Sequence, residues 1–166
     1  LSTYSLLNFM IMAPSFSRFE IPKIFIGELA LPRYYGFVVL TGFGSTVMNF
    51  YLMAQVMKAR EKHGVKYPAL YAPDNDDFNC VQRSHQNYLE MLPLFLMHLF
   101  VGGLYAPRVC AAGGTLYLIG RFLYAQGYST GDPKNRRRGV VGYPGLLALV
   151  VSTVALGIRH VRLSLK

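Results

Sequence analysis

Two sets of polar side chains stand at helical spacing inside otherwise apolar stretches of this chain. Arg83, Asn87 and Glu90 follow an i, i+4, i+7 pattern, which puts a cation, an amide and an anion on one face of a helix. Tyr117, Arg121, Tyr124 and Tyr128 repeat that pattern about 30 residues on. Just beyond lies Lys134-Asn-Arg136-Arg-Arg138. Charges at the mouth of a membrane segment are costly unless something uses them. Guanidinium groups present fixed forks of N–H donors to carboxylates and phosphates. The chemistry these residues suit is therefore capture of a small anionic ligand carrying several carboxylates or a phosphate.

The elements that position them follow from composition. The chain has 166 residues, 52% of them hydrophobic and only 15% charged, against about 25% charged in an ordinary soluble chain. Mean hydropathy is +0.29. These values predict an all-α membrane protein. From Tyr34 to Met57 there are 24 residues with no charge or histidine, enough to cross a hydrocarbon core of about 30 Å, which needs roughly 20 helical residues. Further spans are expected around Phe78–Tyr105, Arg108–Thr130 and Gly139–Arg162, giving a four-transmembrane-helix bundle with helices near 34–60, 78–105, 108–130 and 139–162. Pro93 falls inside the second span, where neighbouring helices can satisfy the freed carbonyl. Asp74-Asn-Asp-Asp77 reads as the turn and cap that open it. Residues 1–33 precede the first span and read as a separate arm on the membrane surface. No basic n-region stands before Leu6–Pro14, which speaks against a signal peptide.

The formal net charge of +9 is gathered into clusters between apolar runs, a pattern of membrane topology and anionic lipid rather than of nucleic-acid binding. The clusters at 58–66 and 134–138 follow the first and third spans, so they share one side, and the positive-inside rule assigns that side to the cytosol. Cys80 and Cys110 form no CxxC pattern and read as small buried residues. His85 and His98 are unmatched by a histidine on a facing helix, and no spacing suggests zinc or iron. The second and third helices run antiparallel. With a rise of about 1.5 Å per residue, Glu90 and Arg121 both fall roughly 15–16 Å from one face, so an Arg121–Glu90 tie is expected.

The segment Phe78–Leu96 (FNCVQRSHQNYLEMLPLFL) resembles the signature of the MAPEG family of membrane-associated glutathione enzymes, in its microsomal glutathione S-transferase branch. Tyr67-Pro68 with Ala69–Tyr71, Gly102–Pro107 and Gly120–Pro133 extend the resemblance over about Tyr35–Arg159. It implies a homotrimer of four-helix subunits in the endoplasmic reticulum. Glutathione, the co-substrate, would bind near the cytosolic face between neighbouring subunits, and a lipophilic electrophile or lipid hydroperoxide would arrive from the bilayer. The implied activity is that of a glutathione transferase and glutathione-dependent peroxidase, with no metal. The implied glutathione-binding residues are Arg60, Arg83, His85, Asn87, Glu90, Arg121, Tyr124, Gln126 and Tyr128. The family's thiol-activating arginine lies just past the third helix. An ungapped count from Tyr128 reaches Asn135, so one inserted residue makes Arg136 the first choice and Arg138 the second. Glu61 and Met91 occupy positions that are arginine and tyrosine in the leukotriene-C synthase branch, which sets them against that side activity. The arm at 1–33 motivates an alternative: an accessory or scaffold subunit of a larger assembly, in a mitochondrial membrane.

Overall fold

The computed structural model describes residues 31–165; most of the arm at 1–33 therefore lies outside the described residues. Four helices, α1 (Tyr35–His63), α2 (Asp76–Tyr105), α3 (Pro107–Tyr128) and α4 (Tyr143–Ser164), form an up-and-down bundle, with a 3-10 helix at Pro133–Gly142 between the last two. α1, α2 and the stretch from Pro133 through α4 are long and apolar enough to cross a membrane. The 22-residue α3 does not reach that threshold among the described residues; it carries Arg108, Arg121, three tyrosines and Gln126.

Local chemistry sets the boundaries. Gly64 ends α1 in the left-handed conformation (φ 66°), returning its N–H to the carbonyls of Arg60 and Glu61, the glycine C-cap that a Cβ would strain. The side chain of Asn75 accepts the Phe78 N–H at 3.0 Å and Asp76 and Asp77 occupy the first turn, so α2 starts with both an N-cap and charges that favour the helix dipole. Ala106 alone joins α2 to α3, whose first residue is Pro107, a position where the missing N–H costs nothing. Pro93 stays inside α2, as expected.

Most boundaries fall within three residues of the expected 34–60, 78–105, 108–130 and 139–162, and the start of the fourth helix moves by four. α3 stops at Tyr128 rather than 130, and Ser129 caps it through the Ala125 carbonyl. The fourth α-helix starts at Tyr143 rather than 139, because the preceding ten residues wind as a 3-10 helix. Glycine contacts explain the tighter turn. A Cβ on Gly120 would stand 2.6 Å from the Gly142 nitrogen, and one on Gly139 would stand 2.6 Å from the Tyr124 Cβ. Backbone lies directly on backbone there. The same device continues up the bundle: a Cβ on Gly145 would collide with the Gly113 carbonyl, and one on Gly102 would sit 2.9 Å from the Leu149 carbonyl. Small residues are how helices approach closely in lipid, where no hydrophobic drive pulls them together.

The core divides into two clusters. Val38, Phe95, Leu99, Cys110, Tyr117 and Leu149 form one, and Met48, Leu52, Tyr88 and Ala125 the other. Tyr88 is fully buried and donates to the Ser45 carbonyl at 2.6 Å, so its hydroxyl is satisfied inside the bundle. The outside is apolar in turn: Phe37, Leu40, Phe43, Val47 and Phe50 on α1, and Leu147, Val151, Val154 and Ile158 on α4, are all at least half exposed or nearly so. A solvent of lipid tails accounts for that inversion. The chain is an integral membrane helical bundle.

Candidate functional site

α2, α3, the 3-10 helix and the first turn of α4 enclose a cavity of about 210 Å³. Its walls carry Asn87 and Met91 from α2, Tyr117, Arg121 and Tyr124 from α3, Arg136, Arg137, Gly139, Val140 and Gly142 from the 3-10 helix, and Tyr143 from α4. Three guanidinium groups therefore face one small space, with no carboxylate on its walls.

Arg121 is the fixed point. It is 8% exposed, donates from Nη2 to Asn87 Oδ1 at 3.0 Å, and stacks over the Tyr124 ring at 4.4 Å. Its Nε and the Tyr117 hydroxyl are buried without a hydrogen-bond partner. Buried polar groups are nearly always satisfied, and both residues line the cavity. Both atoms are out of solvent contact, so the two donors stand unpaired within the wall rather than on its surface.

The expected tie between Arg121 and Glu90 is not what forms. Glu90 pairs instead with Arg83 on its own helix, at 2.9 Å, and lies 3.5 Å from the Asn87 amide nitrogen. Depth along the helix was matched, but direction around it was not. Glu90 falls on the outward Arg83 stripe, whereas Arg121 meets Asn87, nearly one turn earlier. The result is a polar chain, Arg83–Glu90–Asn87–Arg121, leading from the outer surface of α2 into the cavity.

The arginine cluster is sorted by 3-10 geometry. At three residues per turn, positions i and i+3 eclipse. Arg136, Gly139 and Gly142 occupy one face, and Arg137, Val140 and Tyr143 the next; both faces line the cavity. Arg138 and Val141 form the third face and do not. Arg136, the first choice from the sequence, lines the cavity and lies 5.8 Å over the Tyr128 ring. Arg138, the second choice, is not among the residues that line the cavity, whereas Arg137, which was not chosen, is. The three-residue spacing of Arg136, Gly139 and Gly142 is a sequence signal that could have separated them.

Other expected site residues stand apart from this cavity. Arg60 is buried against the loop after α1, donating to the Ala69 carbonyl at 2.8 Å and stacking over Tyr67 at 4.4 Å. His85 turns toward α1, with Nε2 3.1 Å from Asn49 Oδ1. Gln126 is exposed on α3. Arg83 and Glu90 are both exposed in the single chain. Tyr128 packs edge-on against Tyr124, centroids 5.5 Å apart, behind the cavity wall. Met91, Tyr117 and Tyr143 line the cavity without having been assigned to it. Cys80 and Cys110 are buried free thiols, as expected. Among the described residues no cluster of His, Cys, Asp and Glu is grouped for a metal ion.

Fold and site together define a class: a polytopic α-helical membrane protein with an arginine-lined cavity toward the end of the bundle that carries the 3-10 helix. Residues 38–158 match the MAPEG family, and the chain belongs to it. It is 38% identical over 117 residues to microsomal glutathione S-transferase 2 of Homo sapiens, covering 70% of this chain and 78% of that one. Over 111 residues it is 35% identical to the uncharacterized protein sll1147 of Synechocystis, covering 66% and 80%. Leukotriene C4 synthase of Bos taurus is 32% identical over 113 residues, covering 68% and 73%.

Proposed function

We propose that the chain is a membrane-bound glutathione transferase with glutathione-dependent peroxidase activity toward lipophilic electrophiles and lipid hydroperoxides. The observation that carries this reading is the convergence of Arg121, Arg136 and Arg137 on one small cavity that holds no carboxylate. Family membership and relatives named as glutathione transferases supply the substrate. Glutathione carries two carboxylates, an ammonium, two amides and a thiol. Arginine forks suit the carboxylates, Glu90 suits the ammonium, and Asn87 with the tyrosine hydroxyls suits the amides. Arg136, free of any ion pair among the described residues, is the residue to set beside the sulfur. A positive charge there favours the thiolate, which is the nucleophile.

Two outcomes follow from one thiolate. Attack on an electrophilic carbon forms a thioether and expels the leaving group or opens the acceptor. Attack on the outer oxygen of a hydroperoxide breaks the O–O bond, giving a sulfenic acid and, after proton uptake, an alcohol. A second glutathione thiol then displaces hydroxide from the sulfenic sulfur, and the products are glutathione disulfide and water.

The cavity is smaller than the roughly 300–1,000 Å³ of most small-molecule pockets, while Arg83 and Glu90 lie exposed beside it. Both facts support a site completed by a neighbouring subunit, as a homotrimer would supply. The endoplasmic reticulum is the compartment this reading assigns. The test is turnover of glutathione by purified protein with an aryl halide and with a fatty-acid hydroperoxide, alongside its mass in detergent. Turnover with both acceptors by a trimer is expected. Bound glutathione with no turnover of either acceptor sinks the reading.

A further inference from the structure

The opposite end of the bundle has a charge pattern that the glutathione site does not use. Five of the six acidic side chains among the described residues (Glu61, Asp74, Asp76, Asp77 and Asp132) lie toward the face that carries the 3-10 helix, and the sixth, Glu90, stands midway along α2. The other face, where α1 and α3 begin and α2 and α4 end, holds Arg33, Arg108, Arg159 and Arg162 and no acid among the described residues. Two of these arginines meet on one ring. Arg108 lies 4.0 Å and Arg33 4.9 Å from the Tyr34 ring centroid. Stacking occupies the flat face of a guanidinium and leaves its N–H edge available. Neither group makes a hydrogen bond or ion pair with a described side chain.

Directly below Arg108 a groove of about 780 Å³ runs between α1 and α3. Phe37, Leu40 and Leu116 wall it, and Gly44, Ala111 and Ala112 keep its floor low. From Arg108 to Ile119, its limits on α3, the groove extends about 16 Å at 1.5 Å per residue. That is close to half of a hydrocarbon core of about 30 Å, or one leaflet. A paired cationic head above an apolar trough one leaflet deep is the negative image of an acidic phospholipid.

We propose that the α1–α3 groove binds an anionic phospholipid, with its phosphate held between Arg33 and Arg108 and an acyl chain laid along Gly44, Ala112 and Leu116. Charge decides against a second copy of this chain as the occupant. Its corresponding end offers further arginines and no carboxylate among the described residues, so two such ends repel. The site is independent of the glutathione cavity, at the other end of the bundle.

The chain contains no tryptophan, so Leu116→Trp supplies a single fluorophore within the groove. The Leu116→Trp protein is reconstituted into vesicles of phosphatidylcholine, and its quenching by acyl-brominated phosphatidylglycerol is compared with that by acyl-brominated phosphatidylcholine at low salt. Preferential quenching by the anionic lipid is expected, falling about five-fold for each guanidinium removed in Arg33→Gln and Arg108→Gln, the equivalent of about 1 kcal/mol apiece. Arg159→Gln with Arg162→Gln, on the same face but outside the groove, leaves the preference unchanged. Equal quenching by the two lipids overturns the proposal. So does an equal loss in the Arg159/Arg162 variant, which would mark a diffuse surface field. Absence of quenching by either lipid overturns it as well, since the groove would then be covered by protein.

Discussion

Replacing Arg136 with alanine tests the proposed thiolate mechanism where its signature is least ambiguous. Arg136 lines the cavity and lies over Tyr128, but its side chain is exposed and enters no packed core, so the variant is expected to fold. A free cysteine thiol has a pKa of about 8.5, which leaves about 3% thiolate at pH 7. If the guanidinium lowers that pKa by about two units, within the roughly 1–3 units seen for an acid beside arginine, the thiolate rises to about three-quarters. Two units correspond to about 2.7 kcal/mol of differential interaction. The gain in thiolate is then about 25-fold.

The rate should change much less. Thiolate nucleophilicity falls with pKa along a Brønsted slope of about 0.4–0.5, or about eight-fold over two units. At pH 7 the alanine variant should therefore be only about three-fold slower. At pH 9 its thiolate is about three-quarters formed and intrinsically more reactive, so it should be about six-fold faster than the parent. The two pH–rate profiles must cross between pH 7 and 9. Aryl-halide conjugation at saturating glutathione measures this, together with ultraviolet titration of the bound thiolate. Arg138→Ala, on the face turned from the cavity, should follow the parent profile. An Arg136→Ala titration midpoint that coincides with the parent's refutes the assignment, even if activity is lost.

Two further outcomes concern the scaffold. Gly139→Ala places a methyl 2.6 Å from the Tyr124 Cβ and 2.9 Å from the Gly120 carbonyl, and overpacking of that kind costs about 1–3 kcal/mol. Thermal unfolding in detergent should fall accordingly, and protection by glutathione should weaken with it. Gly157→Ala meets nothing within 4 Å and should be neutral or stabilising, by up to about 1 kcal/mol; an equal loss in both variants would show that the 3-10 packing is not responsible. Tyr88→Phe removes the buried bond to the Ser45 carbonyl and should lower stability by about 0.5–1.5 kcal/mol without moving the pH–rate profile.

The bundle was legible in the sequence because a membrane span requires a long uncharged run, and such runs are hard to mistake. The stripe Arg83, Asn87 and Glu90 was legible for the same reason, since 3.6-residue periodicity fixes which residues share a face. The direction in which each face points was not. Depth placed Glu90 level with Arg121, but the rotation of α2 gave Glu90 to Arg83 and Asn87 to Arg121. The surroundings of Arg60 were not legible either, and its Nη1 is buried without a hydrogen-bond partner. Arg60 stands among basic residues at the end of a helix, yet its guanidinium stacks on Tyr67 and Phe78 and donates from Nη2 to the Ala69 carbonyl of the following loop. Which of Arg136, Arg137 and Arg138 line the cavity depends on the turn type. A loop would leave all three equivalent, whereas a 3-10 helix does not.

The helix least suited to the bilayer is the one on which the cavity depends. α3 carries Arg121 and Tyr124 inside it, and Gly113 and Gly120 along it. The charges and glycines that lower its hydropathy have opposite duties but one consequence. The glycines let α4 and the 3-10 helix lie directly on its backbone, which carries Arg136 and Arg137 to within reach of Arg121. The polar side chains then face the space so enclosed rather than lipid. An apolar residue at either glycine would improve α3 as a membrane span and separate the arginines. α3 thus falls short as a span by one buried arginine and its close-packing glycines rather than by a lack of apolar residues, and a helix packed on both sides by its neighbours need not satisfy the bilayer by itself.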